Sequence, residues 1–266
     1  AYKAAIAAAD PLQCLRPQHL PARPKGRTLV VGAGKAAASM ALAFERLWPK
    51  DAPLEGLVIT RYAHGLPLTR LQCMEAGHPV PDEAGQKAAQ TIAQRVAELT
   101  PDDQLLVLVS GGGSSLLALP AAGLSMDDLR AVTQQLLRSG APIQDMNIVR
   151  RHLSRLQGGQ LALMSKAPVR TLVISDVVGD QACDIASGPC DPDPSSFEDA
   201  RAVLARWNVE PPRAVAERLE AGCRGEIAET PKPGDPRLAH ATTLMLATAK
   251  ASLDEACRIL VENGFQ

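Results

Sequence analysis

What most restricts this chain is a rhythm. Short runs of leucine and β-branched residues, several ending in a loop of glycine, serine or aspartate, alternate with longer segments of helical spacing. The strands read from it are Thr28–Val31, Gly56–Thr60, Leu105–Val109 and Val169–Ser175. Each is too apolar for a sheet with one wet face, so each belongs in a parallel sheet covered by helices on both sides. Between them, Asp82–Leu99 carries Ala84, Ala88, Ile92, Val96 and Leu99 at helical spacing after the start signal Pro81-Asp82. Ser125–Arg138 is a second such helix, with Ser125 as N-cap and Asp127-Asp128 in its first turn. A turn-rich stretch, Pro189–Phe197, leads into helices Phe197–Trp207 and Pro212–Ala221, and Thr230–Arg237 reads as a linker. Thr242–Ala247 then reads as a strand and Lys250–Glu262 as a helix capped by Asn263-Gly264. A βαβ repeat would continue with another strand, so the chain is expected to stop inside a repeating unit.

The expected class is therefore α/β, a Rossmann-like three-layer α/β/α sandwich with a mostly parallel sheet, plus the truncated start of a second α/β domain. The boundary is expected between residues 1–236 and 237–266. Composition acts by exclusion. With 28 basic and 29 acidic residues the net charge is −1, which supplies no positive field for nucleic acid or an anionic membrane surface. Aromatic residues are only 3% of the chain, too few for the stacking platforms that grip single strands. No apolar run approaches the roughly 18 residues of a membrane span. The six cysteines lack any C-x-x-C pair, so neither a disulfide framework nor a zinc site is expected. The alanine-rich N-terminus, interrupted by Lys3 and Asp10, reads as a helix rather than a leader, and a cytoplasmic location is the default.

Three loops carry the chemistry. Gly32-Ala33-Gly34-Lys35-Ala36-Ala37 follows the first strand and matches the dinucleotide pattern G-x-G-x-x-G/A, placing free N–H groups at a helix start. The acidic residue expected after the next strand is absent, since Thr60-Arg61-Tyr62 stands there. Lys35 works against the helix dipole, which points to an anion rather than to a merely solvated lysine. Ser110-Gly111-Gly112-Gly113-Ser114-Ser115 forms an anion nest of bare backbone donors and hydroxyls. It is not a hydrolase elbow, because Leu116 fills the last position of G-x-S-x-G. The third loop, Ser175–Asp180, offers carboxylates suited to holding Mg²⁺ or taking a proton. Asp184 and Asp191 suit caps and turns better than Asp176 does. In Asn147–Ser154, adjacent Arg150 and Arg151 suit a carboxylate or phosphate, with a solvated helix face as the alternative, above all for Arg151. His78 suits a site and a satisfied turn equally. Two phosphate-friendly nests and an acidic loop at strand ends suggest phosphoryl transfer at a nucleotide–Mg²⁺ site.

In the same order along the chain, Gly32–Ala37, Glu75–Asp82, Ser110–Ser115, Asn147–Ser154 with Gly158-Gly159, Ser175–Asp180 with Ala186–Pro189, and Thr230–Asp235 resemble the successive motifs of the glycerate 2-kinase family. Its members carry a C-terminal MOFRL domain and were formerly often labelled hydroxypyruvate reductases. The resemblance implies transfer of the γ-phosphate of ATP to the 2-hydroxyl of D-glycerate, giving 2-phosphoglycerate, with Mg²⁺. It implies a small-molecule substrate, no nucleic acid and no membrane, and a homodimer is among the assemblies open to it. It makes Lys35 and Asp176 the catalytic pair, with Asp176 and Asp180 at the metal. Gly32, Gly34, Ser110, Gly111, Gly112, Gly113, Ser114, Ser115, Asn147 and Arg150 become the expected phosphate or substrate contacts. Gln181 stands where many relatives carry a second aspartate. The alternative function is an NAD(P)H-dependent hydroxypyruvate reductase, with Arg61 facing a 2′-phosphate. With much of the second domain outside it, the chain is also expected to be a piece that can be inactive alone.

Overall fold

The computed structural model describes residues 1–265. Its centre is a sheet of six strands: β1 (Thr28–Ala33), β2 (Leu54–Arg61), β3 (Gln72–Ala76), β4 (Gln104–Ser110), β5 (Val169–Ile174) and β6 (Ala241–Ala247). The order is β3-β2-β1-β4-β5-β6 and every neighbouring pair is parallel, which bears out the expected α/β class. Among the described residues eleven helices surround it: α1 (Tyr2–Ala9), α2 (Pro11–Cys14), α3 (Ala37–Leu47), α4 (Glu83–Ala97), α5 (Gly113–Leu116), α6 (Met126–Ser139), α7 (Ile143–Leu153), α8 (Gln160–Met164), α9 (Phe197–Arg206), α10 (Arg213–Cys223) and α11 (Ala249–Glu262).

The strand sequences explain the layers. Alternate residues point to opposite faces. Leu29 and Val31 of β1 with Leu105 and Val107 of β4 bury against Ile92 and Val96 of α4. Val30, Leu106 and Leu108 bury on the other face against Met40 and Phe44 of α3. A third core lies away from the sheet. Val132 and Leu136 of α6, Val149 and Leu153 of α7, Phe197 and Leu204 of α9 and Val215 and Leu219 of α10 make a helical cap.

One expectation is corrected. Gln72–Ala76 is a strand that the apolar pattern did not reveal, because β3 pairs only with β2 and buries little beyond Ala76. A further strand of the same sheet follows the expected boundary at 236/237. Ala241–Ala247 hydrogen-bonds along β5, from Val169↔Ala241 to Ile174↔Ala247. Met245 packs on one core while Leu244 and Leu246 pack on the other. The free edge of β5 is the nearest surface that satisfies both this backbone and its apolar side chains. Helix α11 then lies against α1.

Glu45 of α3 anchors the loop before β3. It is 9% exposed and accepts from the backbone N–H groups of Thr69, Arg70 and Leu71. Burial alone would raise its pKa, but these bonds outweigh burial and hold it below the usual carboxylate range. A depressed folded-state pKa stabilises above the unfolded value, about 4.3, and the gain disappears as pH falls through the folded value. Melting-temperature differences between the wild type and Glu45→Gln should accordingly be largest at neutral pH and narrow below about pH 4. A difference that stays constant with pH would refute this role.

Candidate active site

In a sheet of this order the connections leave β1 and β4 in opposite directions, opening a crevice at their carboxyl ends. The register puts Ala33, Val109 and Val173 in one row, so the residues following β1, β4 and β5 leave the sheet side by side. The first two loops are stitched across the crevice. Lys35 N–H donates to the Gly111 carbonyl at 2.8 Å, and Ala36 N–H donates to the Ser110 hydroxyl at 3.0 Å. The third loop closes the group: Lys35 Nζ lies 2.9 Å from Asp176 Oδ2, with both side chains nearly half exposed.

Two glycines make this approach possible. A Cβ on Gly111 would strike the Asp176 carboxylate. Gly112 has φ +84°, and a Cβ there would come within 2.8 Å of the His78 ring and 3.4 Å of Lys35 Cγ. Any side chain at 112 would both strain the backbone and displace those two groups.

The cleft so formed holds about 390 Å³. Lys35, His78, Gly111, Gly112, Ser114, Ser115, Asp176 and Asp184 line its sheet side, and Leu137, Ile143, Gln144, Met146 and Arg150 line its cap side. Burial pushes the Arg150 guanidinium down to about 10, so it remains a cation at neutral pH. Burial, and after it the positive charges of Lys35, Arg61 and Arg150, push the His78 imidazole below its ordinary value, so its neutral form is favoured there.

Of the residues expected at the site, Lys35, Gly111, Gly112, Ser114, Ser115, Arg150 and Asp176 line the cleft. Gly32, Gly34, Ser110, Gly113, Asn147 and Asp180 do not, and the contacts say why for most of them. Gly32 packs on the backbone of Leu108, Gly34 on Ser110 and Gly113 on Ala33 and Ala186. Ser110 is 2% exposed and Asn147 is fully buried. Asn147 holds the far wall instead: its Nδ2 donates to the Asp184 carbonyl at 2.9 Å, and its Oδ1 accepts from Ser187 at 2.8 Å. Ser187 spends its one proton there, so Ser114 donates to Ser187 at 2.9 Å.

Arg151 reverses its expected place on a solvated face. It is 3% exposed, and its Nε lies 2.8 Å from Asp193 and its Nη1 3.2 Å from Asp184. Helix α7 thus sends Arg150 to the cleft and Arg151 into the core. His152 and Ser154 are also buried. Arg61, expected to meet a 2′-phosphate, donates from Nε to His64 at 3.0 Å.

Asp184 and His78 line the cleft although sequence reasoning did not select them. A signal for His78 was present, since Gly77-His78 directly follows β3. Seeing that strand would have put the histidine at the ligand-binding edge.

Among the described residues no group of three or more histidine, cysteine, aspartate or glutamate side chains is placed to hold a metal ion. Mg²⁺ asks for less, because it commonly takes one or two carboxylates together with substrate phosphates and water. Asp176, half exposed at the crevice, fits that requirement. Asp180 is off the cleft wall, and its Oδ1 is buried without a hydrogen-bond partner, free to meet a cation.

Comparisons with known proteins agree with this architecture. The profile of a domain family described as a domain of unknown function (DUF4147) matches residues 1–220. A protein of Agrobacterium vitis with the provisional name hydroxypyruvate reductase is 47% identical over 272 residues, covering 100% of this chain and 60% of the relative. The glycerate 2-kinase of Pyrococcus horikoshii is 40% identical over 247 residues, covering 91% of this chain and 54% of that protein. The crystal structure of glycerate kinase from Thermotoga maritima superposes with a TM-score of 0.84 at 36% identity, covering 100% of this chain and 61% of that one. The chain therefore spans 54–60% of the length of these two curated relatives.

Proposed function

The chain belongs to the DUF4147 family and with it to the glycerate kinase family, and on that premise we propose that the whole protein phosphorylates D-glycerate at its 2-hydroxyl with ATP. The observation that carries this reading is the meeting of Lys35, the Gly111–Ser115 loop and Asp176 at the switch point of the sheet. Phosphoryl transfer needs positioning and charge neutralisation rather than covalent chemistry, and these groups supply both.

In this reading the Lys35 ammonium turns from Asp176 to the transferring phosphate and offsets its charge. The first backbone N–H groups of the Gly111–Ser115 turn have no partner within it and cradle phosphate oxygens. Arg150, entering from the cap, takes the glycerate carboxylate by paired N–H donors. Mg²⁺, held by Asp176 and phosphate oxygens, would supply further neutralisation of the phosphates. No helix among the described residues is long and apolar enough to cross a membrane, in keeping with a small-molecule enzyme of the cytoplasm.

The test uses the whole protein with ATP, Mg²⁺ and D-glycerate, and resolves the products by ³¹P NMR. ATP-dependent 2-phosphoglycerate is the expected result. NADPH oxidation driven by hydroxypyruvate, with no phosphoglycerate formed, would replace this reading with the reductase.

A further inference from the structure

A hydroxyl that attacks phosphorus must lose its proton, and most bases in this cleft are already engaged. Asp176 is ion-paired with Lys35 at 2.9 Å. Asp184 is paired with Arg151 at 3.2 Å. The Ser115 hydroxyl donates to the Gly112 carbonyl at 3.1 Å, and Ser114 donates to Ser187 at 2.9 Å. His78 differs from all of these. Its ring is half-buried with the charges of Lys35, Arg61, Arg150 and Asp176 around it, and no hydrogen bond among the described residues engages it. Its ring lies against Gly112, beside the stem of Lys35, on the same wall as the proposed phosphate cradle.

Resting on the kinase reading, we propose that the His78 imidazole is the group that receives the proton of the acceptor hydroxyl. The hydroxyl oxygen bonds to the γ-phosphorus of ATP while its O–H bond breaks and the proton passes to a ring nitrogen. The bond from the γ-phosphorus to the β,γ-bridging oxygen breaks, and its electron pair leaves on ADP. The imidazolium then releases its proton to water. Burial, and after it the surrounding cations, favours the neutral ring before the step, so its lone pair is available. Three cations near one neutral imidazole also separate the tasks. Lys35 and Arg150 hold charge, while His78 moves a proton. Asp176, from which Lys35 turns away in the kinase reading, would be engaged by Mg²⁺ instead.

The experiment compares the whole wild-type protein with its His78→Ala and His78→Gln variants, measuring kcat and KM for ATP and for D-glycerate. General-base loss predicts a kcat fall of about 10²–10⁴-fold in both variants with KM values changed little. It further predicts that added imidazole restores a measurable part of kcat in His78→Ala, where the ring leaves a space, and not in His78→Gln. A kcat within a few fold of wild type in either variant would overturn the assignment. So would a loss of activity that imidazole leaves untouched in His78→Ala, since the histidine would then serve structure alone. Failure of the kinase reading is distinguishable, because the unaltered protein would itself make no phosphoglycerate; that result overturns the assignment as well.

Discussion

On the kinase reading, replacing Lys35 by alanine in the whole protein should lower the kcat of glycerate phosphorylation by about 10³-fold, the scale seen when one preorganised charge stabiliser is removed. The loss has two sources. The transferring phosphate loses its nearest cation, and Asp176, 2.9 Å away in the unaltered protein, is left as an uncompensated negative charge beside it. Stability should barely move, because an ion pair this exposed contributes about 0–1 kcal/mol. Lys35→Arg keeps the charge but not the shape of a point donor, so it should recover only part of the rate. The check is steady-state kinetics beside thermal melts of the same preparations. A full-rate Lys35→Ala enzyme would remove the lysine from the chemistry. A variant that loses activity only because it melts would do the same.

The largest effect on stability should come from the neighbouring helix. Arg151→Met leaves Asp193, which is fully buried, without its cation at 2.8 Å. Breaking one side of a buried pair costs about 3–5 kcal/mol, which lowers the melting temperature by something on the order of 10 °C for a domain of this size. Adding Asp193→Asn should recover part of that loss, because the stranded charge rather than the lost bond dominates the cost. The introduced amide retains an oxygen able to accept from Thr230 Oγ1, which lies 2.9 Å from Asp193 in the unaltered protein. The single variant should also lose activity beyond its melting behaviour, since Arg151 braces Asp184 on the cleft wall. If Arg151→Met melts within about 1 °C of wild type, the network is not what holds the loop.

The sequence made the centre of the sheet legible and its edges much less so. β1, β4 and β5 are buried on both faces along most of their length, and burial favours apolar residues at most positions, so they stood out as runs. β3 has one partner strand and only Ala76 fully buried, which leaves Gln72, Cys73 and Glu75 free to look like a loop. The same physics left His78, just beyond it, undecided between a site and a turn.

Glycine loops announced the crevice, yet glycine serves two ends that spacing cannot separate. Gly111 and Gly112 make room for Asp176 and His78 at the cleft, whereas Gly32 and Gly113 let backbone pack on backbone. Adjacent arginines posed a similar problem. On a helix, Arg150 and Arg151 are about 100° apart, so one faces the cleft while its neighbour is 3% exposed. Only the segment carrying Cys183, Asp184, Asp193 and Ser195, remote in sequence, decides which face is inside. The strand Ala241–Ala247 was readable by pattern, but its partner was not, because strand pairing is set by which edge lies free in space.

The most direct measurement is a crystal structure of the whole protein with ADP, Mg²⁺ and D-glycerate. Phosphate oxygens should lie within hydrogen-bond distance of Lys35 Nζ and the Gly111–Ser115 amides, with the glycerate carboxylate on Arg150 and its 2-hydroxyl facing His78. Lys35 Nζ still seated on Asp176, with nucleotide and glycerate bound away from the β1/β4 crevice, would contradict the account.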